Sequence, residues 1–206
     1  MTAEQIMTNI SSLRRSPLVH IADEFSDHDV LGDRGVSLRE VAFATMVGIR
    51  AIPGTPAHAA LTAATGVGLP SGPGQTAGSP EGTTVLWQGP DEFLLVAPDG
   101  TDIVADLVEA LGDQPGSVVD LSANRTILRL EGPSARLALE KGCPADLHPR
   151  AFAVGTAIAT TLGPIPLFLW KVGDSAYLLL PRASFADYTA RWLLDAMTEF
   201  ASPEVQ

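Results

Sequence analysis

One group of polar residues combines the side-chain types that catalytic and binding sites use. Asp120 follows two valines, and Asn124 and Arg125 come shortly after it. An acid, an amide and a guanidinium close to strand ends could bind a polar ligand or move a proton. The alternative is a turn in which Asp and Asn hydrogen-bond their own backbone, and the residue types favour that turn.

The histidines and the single cysteine match no common catalytic or metal-binding motif. The four histidines are His20, His28, His58 and His148. His20 and His28 flank an acidic segment, so a weak surface metal site is conceivable, but metal sites need converging ligands and a second shell. We place His58 in a helix and His148 in a turn. Cys143 lies just past a predicted helix C-terminus, where the helix dipole disfavours a thiolate, and we interpret it as structural.

The sequence contains no complete nucleotide-binding motif and no common nucleophile motif. The segment Gly66–Gly72 contains several glycines, but their spacing differs from G-x-G-x-x-G, and Pro70 and Pro73 would block the helix that must follow. The sequence has no G-x-x-x-x-G-K-[ST] phosphate loop, no G-x-S-x-G elbow and no S-x-x-K. We therefore predict no catalytic, cofactor-binding or metal-binding residue on this chain.

The elements around these residues form a pattern that occurs twice. A strand at 46–52 precedes Gly54 and a helix predicted to start at Pro56, because proline suits the first helical turn. A second strand at 126–130 precedes the similar string 132–139. Gly66 and Gly142 are each predicted to end their helix in a left-handed conformation.

Each repeat continues with a hairpin. Residues 86–98 align without gaps to residues 169–181, with Trp87 opposite Trp170, and Gly and Asp mark both turns. A tryptophan at either position that faced solvent would be an interface anchor, whereas core packing is the better interpretation for at least one of them.

A helix is predicted after each hairpin. Thr101 is the predicted cap of the first helix, and Ser184 with Asp187 resembles a capping box for the second. The second helix carries an apolar stripe that we predict to cover the sheet, at Phe185, Tyr188, Trp192 and Ala196.

Together these elements predict an α+β fold of two tandem ferredoxin-like βαββα units packed together. The predicted divisions are an extended N-terminal arm at 1–37, a first half at 38–115, a second half at 116–200 and a tail at 201–206. Strands at 117–121 and 153–162 flank the units. The arm is irregular in this interpretation, and is either a solvated tail or a segment that docks on a partner. Residues 66–82 hold six Gly and three Pro and are predicted to be a mobile loop.

Composition narrows the classes of partner. The 206 residues include 13 Lys and Arg against 24 Asp and Glu, a formal net charge of −11, which disfavours nucleic acid and anionic membrane. Residues 1–12 lack the pattern of a signal peptide, and the apolar stretch 151–170 contains Gly, Pro and Thr typical of strands and turns. One thiol excludes an intrachain disulfide, and we expect a cytoplasmic protein.

One family resembles this sequence over most of its length. The segment from Val119 to Leu147, which contains Asp-Leu-Ser-Ala-Asn-Arg and Gly-Pro-Ser-Ala, is similar to the gamma subunit of heterotetrameric sarcosine oxidase. The resemblance extends to 14–18, to 87–95 and to the final helix around Trp192. The Asp-Leu-Ser to Gly-Pro string is shared with the glycine-cleavage T-protein and related folate-binding folds.

The resemblance implies a T-protein-like fold and a function within a complex. That enzyme oxidatively demethylates sarcosine to glycine, forming hydrogen peroxide and either formaldehyde or methylene-tetrahydrofolate. The resemblance implies FAD, FMN, NAD and zinc on the alpha, beta and delta partner subunits, tetrahydrofolate as co-substrate, and none of these on this chain. The alternatives are a stand-alone folate-binding one-carbon protein and a two-lobed interaction module of another assembly.

Overall fold

The computed structural model describes residues 13–202, so most of the predicted tail and residues 1–12 of the predicted arm lie outside it. Its strands are β1 Ser37–Val41, β2 Thr45–Arg50, β3 Thr76–Gly78, β4 Thr84–Gly89, β5 Glu92–Ala97, β6 Ser117–Asp120, β7 Ile127–Glu131, β8 Ala157–Leu162, β9 Ile165–Gly173 and β10 Ala176–Pro181. Its α-helices are α1 Ala22–Asp27, α2 Pro56–Ala64, α3 Val104–Leu111, α4 Ala135–Glu140 and α5 Ala186–Ala201. Two 3₁₀ turns, Val19–Ile21 and Ala183–Phe185, precede α1 and α5.

The strands form two antiparallel sheets with helices on their outer faces, which confirms the predicted α+β class. The first sheet has the order β3-β4-β5-β2-β6 and the second has the order β1-β7-β10-β9-β8. One apolar cluster lies between the sheets and includes Met46, Leu94 and Trp170. A second joins the first sheet to α2 and α3, and a third joins the second sheet to α1, α4 and α5.

Each sheet contains the four-strand core of a ferredoxin-like unit, but the second sheet takes one strand from elsewhere in the chain. β1 pairs with β7 from Ser37 opposite Glu131 to Val41 opposite Ile127. β6, which follows the first unit, pairs with β2. The division at 38–115 and 116–200 stays a prediction, and the sheets cut across it. Hydrogen bonding explains this arrangement, because a flanking strand pairs with whichever sheet edge lies open beside it.

The N-terminal segment packs on this chain's own core, and the irregular structure predicted for the arm is wrong at residues 19–27, which are helical. Leu18, Ile21 and Phe25 are buried in the cluster of the second sheet. Their spacing of three and four residues places them on one helical face, while Asp23 and Asp27 on α1 remain exposed. Acidic residues dominated the sequence pattern and concealed this short apolar stripe.

The glycines that follow α2 and α4 have different roles. α2 begins at Pro56 as predicted, with the Thr55 hydroxyl accepting from His58 N at 3.3 Å, and Gly66 has the predicted left-handed φ of +71°. Gly142 does not adopt positive φ, so that part of the prediction is wrong. A Cβ at Gly142 would instead lie 2.5 Å from Cζ2 of Trp192. Close packing against the indole therefore requires glycine there.

Both predicted N-caps of the longer helices are wrong. Thr101 donates its hydroxyl to Pro98 O at 2.8 Å, three residues before α3 begins. Asp187 bonds to side chains of His20 and Arg191 rather than to the α5 backbone. Thr101 is therefore used by the turn before α3, and the charges of His20 and Arg191 compete with capping for the Asp187 carboxylate.

The predicted apolar stripe of α5 is rotated from the buried face. Phe185 and Tyr188 are 37% and 48% exposed, Trp192 is half-buried, and Ala196 is buried. The residues that pack on the second sheet are Ala186, Ala190, Leu193, Leu194, Met197 and Phe200. These also recur with helical spacing, so aromatic size misdirected the choice of face.

The two hairpins form as predicted, but the gapless alignment between them is one residue out of step. Leu86 faces the space between the sheets, whereas Leu169 faces the outer helices. Trp87 packs in the outer layer of the first sheet, whereas Trp170 lies between the sheets. A strand alternates faces with period two, so a one-residue offset reverses every side chain.

Candidate functional site

Asp120 and Ser122 form a turn at the end of β6. One Asp120 oxygen, Oδ1, accepts from Ser122 N at 2.9 Å and from the Ser122 hydroxyl at 2.6 Å. These two hydrogen bonds lower the pKa of Asp120 below its ordinary value. The Ser122 hydroxyl also accepts from Met46 N at 3.0 Å, which attaches the turn to β2. The predicted Asp turn is confirmed.

Asn124 and Arg125 do not converge with Asp120. Asn124 contributes its main chain, donating to Leu121 O at 2.8 Å and accepting from Ala183 N at 2.9 Å. Arg125 turns toward the second sheet, where Nη1 donates to Leu180 O at 2.9 Å. The acid, the amide and the guanidinium therefore form no common site.

The environment of Arg125 is unusual for a guanidinium. Its carbon Cζ lies 5.3 Å from the centre of the Phe168 ring. Its Nε is buried and has no hydrogen-bond acceptor among the described residues. Burial, and then the nearby charge of Arg182, lower the pKa of Arg125 from its ordinary value.

A cavity of about 270 Å³ opens beside Arg125, and we call it the arginine pocket. Arg14, Arg15 and Arg125 line it together with Ser122 and Thr126. Arg14 donates to Asp99 at 2.9 Å and lies over the Phe43 ring at 4.3 Å. Arg15 is exposed. Sequence reasoning missed this pocket, although an adjacent arginine pair in an acidic chain was a usable signal.

The histidines lie apart from one another. His20 Nε2 lies 2.8 Å from Asp187 Oδ1, while His28 Nδ1 lies 2.8 Å from Glu24 O. His58 lies on α2 with its ring 6.0 Å from the Phe93 ring, and His148 lies in a turn, as predicted. Within residues 13–202 no three His, Cys, Asp or Glu side chains are arranged to hold a metal ion.

Cys143 is a packing residue in the core. It is 8% exposed within the cluster of the second sheet, and its Sγ lies 3.7 Å from Thr160 Oγ1. The structural interpretation of this thiol is confirmed.

The glycine-rich segment does not fit a dinucleotide. Gly66–Gly72 follows α2 and leads toward β3, so it lacks both the preceding strand and the helix N-terminus that bind a pyrophosphate. The predicted loop 66–82 also contains the edge strand β3, which pairs with β4, so it is not wholly a loop.

A second cavity of about 240 Å³ reaches Trp170 and Leu178. Both cavities are smaller than the roughly 300–1,000 Å³ of ordinary small-molecule sites.

Trp170 is a core residue rather than an interface anchor. It is 2% exposed, and its indole Nε1 is buried with no acceptor among the described residues. Trp87 is half-buried and packs against the outer cluster of the first sheet.

Over residues 13–202, no helix combines the length and apolar character needed to cross a membrane.

Comparison with known proteins gives full-length matches. The Sarcosine oxidase, gamma subunit family matches residues 50–199. The sarcosine oxidase subunit gamma of Arthrobacter sp is 56% identical over 203 residues, covering 98% of this chain and 99% of the relative. That of Corynebacterium sp. (strain P-1) is 55% identical with the same coverage.

Solved structures agree on the fold. A chain of the heterotetrameric sarcosine oxidase from Corynebacterium sp. U-96, in complex with pyrrole 2-carboxylate, superposes with a TM-score of 0.93 at 56% identity, covering 94% of this chain and all of that chain. The aminomethyltransferase T of the glycine cleavage system from Bartonella henselae has a TM-score of 0.63 at 16% identity and shares the fold over 57% of its own length. By sequence and by fold, this chain belongs to the sarcosine oxidase gamma subunit family.

Proposed function

We propose that this chain is the small gamma subunit of a heterotetrameric sarcosine oxidase and supports the oxidative demethylation of sarcosine to glycine. The products of the complex would be hydrogen peroxide and either formaldehyde or methylene-tetrahydrofolate. One observation carries the proposal: the chain superposes with a TM-score of 0.93 on an entire chain of such an assembly at 56% identity.

The chain contributes no catalytic residue in this proposal. FAD, FMN, NAD and zinc would be held by the alpha, beta and delta subunits, and the chain would contribute binding surface. This assignment is supported by the residues that could have reacted, because Cys143 is packed in the core and Asp120 is engaged in its own turn. The single thiol suits a reducing cytoplasm.

Expression with and without the partner subunits tests the proposal. The purified chain should be colourless and form no hydrogen peroxide from sarcosine. The chain co-expressed with alpha, beta and delta should co-purify with them in equal amounts. Sarcosine oxidation by the isolated chain would refute the non-catalytic role, and failure to co-purify would refute the subunit assignment.

Titration with tetrahydrofolate distinguishes the proposed subunit from the alternative of a stand-alone folate-binding protein. The isolated chain should show no saturable binding of tetrahydrofolate in isothermal titration calorimetry. Binding near one equivalent would support that alternative instead. The small volumes of the two cavities, about 270 and 240 Å³, favour the subunit assignment.

A further inference from the structure

The arginine pocket concentrates positive charge on a chain whose net charge is −11. Arg14, Arg15 and Arg125 line it, and Arg182 bridges to Arg125 through the main chain. Asp99 pairs with Arg14, but no carboxylate of residues 13–202 forms an ion pair with Arg15 or Arg125. Glu40, near Thr126, is already engaged by the Thr126 and Ser16 hydroxyls at 2.7 and 2.6 Å. Glu40 keeps its negative charge beside the pocket, but Arg15 and Arg125 have no ion-pair partner among residues 13–202.

Arg125 has a free hydrogen-bonding edge. Its Nη1 donates to Leu180 O, which leaves Nε and Nη2 without acceptors among the described residues. Buried polar groups are nearly always paired, so the unpaired Nε sets Arg125 apart from the other described arginines. The Nη2 group of a guanidinium donates charge-assisted hydrogen bonds to a carboxylate, which are stronger than those between neutral groups.

The surroundings of the pocket favour a protein as the source of that carboxylate. The main chain at Asn124 bonds to Ala183, which is followed by the exposed aromatic side chains of Phe185 and Tyr188. Arginine with exposed aromatic residues is the composition of energetically important interface positions. The pocket is also smaller than an ordinary small-molecule site but has room for one acidic side chain.

We propose that the arginine pocket binds a carboxylate presented by a partner subunit, with Arg125 donating from Nη2 and Arg15 supplying a second positive charge. This inference rests on the proposed function, because it requires the chain to assemble with other subunits. The exposed side chains of Phe185 and Tyr188, which follow Ala183 in the chain, would extend the same contact. An acidic segment of the partner is drawn to this pocket despite the negative net charge of the chain, because close charges outweigh distant screened ones.

Neutral substitutions in the full complex test the proposal. Arg15→Gln, Arg125→Gln and the control Arg150→Gln each remove one charge, and Arg150 is exposed in the turn between α4 and β8. Binding of each purified chain to the alpha–beta–delta partners is measured by biolayer interferometry at two salt concentrations. We expect Arg125→Gln to raise Kd about 30-fold or more, Arg15→Gln to raise it about 5-fold with a weaker salt dependence, and the control to leave it within about 2-fold. Circular dichroism shows whether each variant is folded. If Arg125→Gln does not fold, the comparison of Arg15→Gln with the control still tests the proposal.

The outcomes separate the possible failures. Wild-type binding with both pocket variants equal to the control would overturn the pocket assignment and leave the proposed function intact. Absence of wild-type binding would overturn the proposed function, and the inference with it. A titration with glutarate distinguishes a small molecule as the source of the carboxylate. Glutarate binding that Arg125→Gln abolishes, combined with normal assembly of both variants, would overturn docking of a partner.

Discussion

The close approach of Gly142 to Trp192 gives a stability prediction with a defined size. A Cβ added at Gly142 would lie 2.5 and 2.7 Å from two indole carbons, Cζ2 and Cη2, and 3.2 Å from Gly163 N. Carbon atoms in contact are normally about 3.5–4.0 Å apart, so the indole would have to move by about 1 Å. It has little freedom to do so, because Trp192 packs against the cluster of the second sheet.

We therefore expect Gly142→Ala to lower the free energy of unfolding by about 2 kcal/mol, within the roughly 1–3 kcal/mol typical of overpacked sites. For a chain of this size the loss corresponds to a fall in Tm of about 4–8 °C. Trp192→Leu removes the clashing ring, so the double variant should be more stable than the sum of the single changes predicts by about 1 kcal/mol or more.

Urea unfolding followed by far-UV circular dichroism measures these differences. Gly82→Ala is the matched control, because a Cβ there meets no atom within 4 Å and its φ is not left-handed. The control should be neutral or stabilising by up to about 1 kcal/mol. Equal stability of Gly142→Ala and the control, or strictly additive effects in the double variant, would show that the indole does not constrain this position.

Two other changes test the terminal segment and the β6 turn. Phe25 is 4% exposed, so Phe25→Ala should lower the free energy of unfolding in urea by about 3–5 kcal/mol. Leu31 is 89% exposed, so the control Leu31→Ala should change it little. An unchanged unfolding midpoint for Phe25→Ala would mean that the segment does not pack on the core. The lowered pKa of Asp120 stabilises the folded chain at pH values above the ordinary carboxyl pKa, and this contribution is lost as pH falls through the folded-state pKa. Asp120→Asn should thus be less stable than wild type at pH 7 and approach it below about pH 4. A constant difference between wild type and Asp120→Asn down to pH 2 would contradict this assignment.

Local patterns predicted the elements well where one interaction dominates. Pro56 at a first turn, Gly66 after the helix and the Gly and Asp turns of both hairpins act over a few residues, and each occurs in the structure. The cap prediction at Asp187 failed because the distant His20 competes for its carboxylate, and the one at Thr101 failed because its hydroxyl donates to the nearby Pro98 O. Local chemistry is readable from sequence only where nothing remote offers a better bond.

The candidate site shows the same division. The residue types in the Asp120 turn were sufficient to predict the hydrogen bonds of the Asp120 carboxylate, because its partner Ser122 lies two residues away. The arginine pocket was not predicted, because it joins Arg14 and Arg15 to Arg125 across more than a hundred positions. That proximity depends on the burial of Leu18 and on the pairing of β1 with β7.

The sequence by itself determined the βαββα repeats, their turns, the acidic character of the chain and the family to which it belongs. Each of these depends on neighbouring residues or on overall similarity. Tertiary structure decided which face of α5 is buried, which sheet receives β1, and which arginines share a pocket. These features depend on packing between segments that are far apart in sequence. The tertiary structure also decided the faces of the hairpin strands, because side chains alternate with period two and an offset of one residue reverses the face of each.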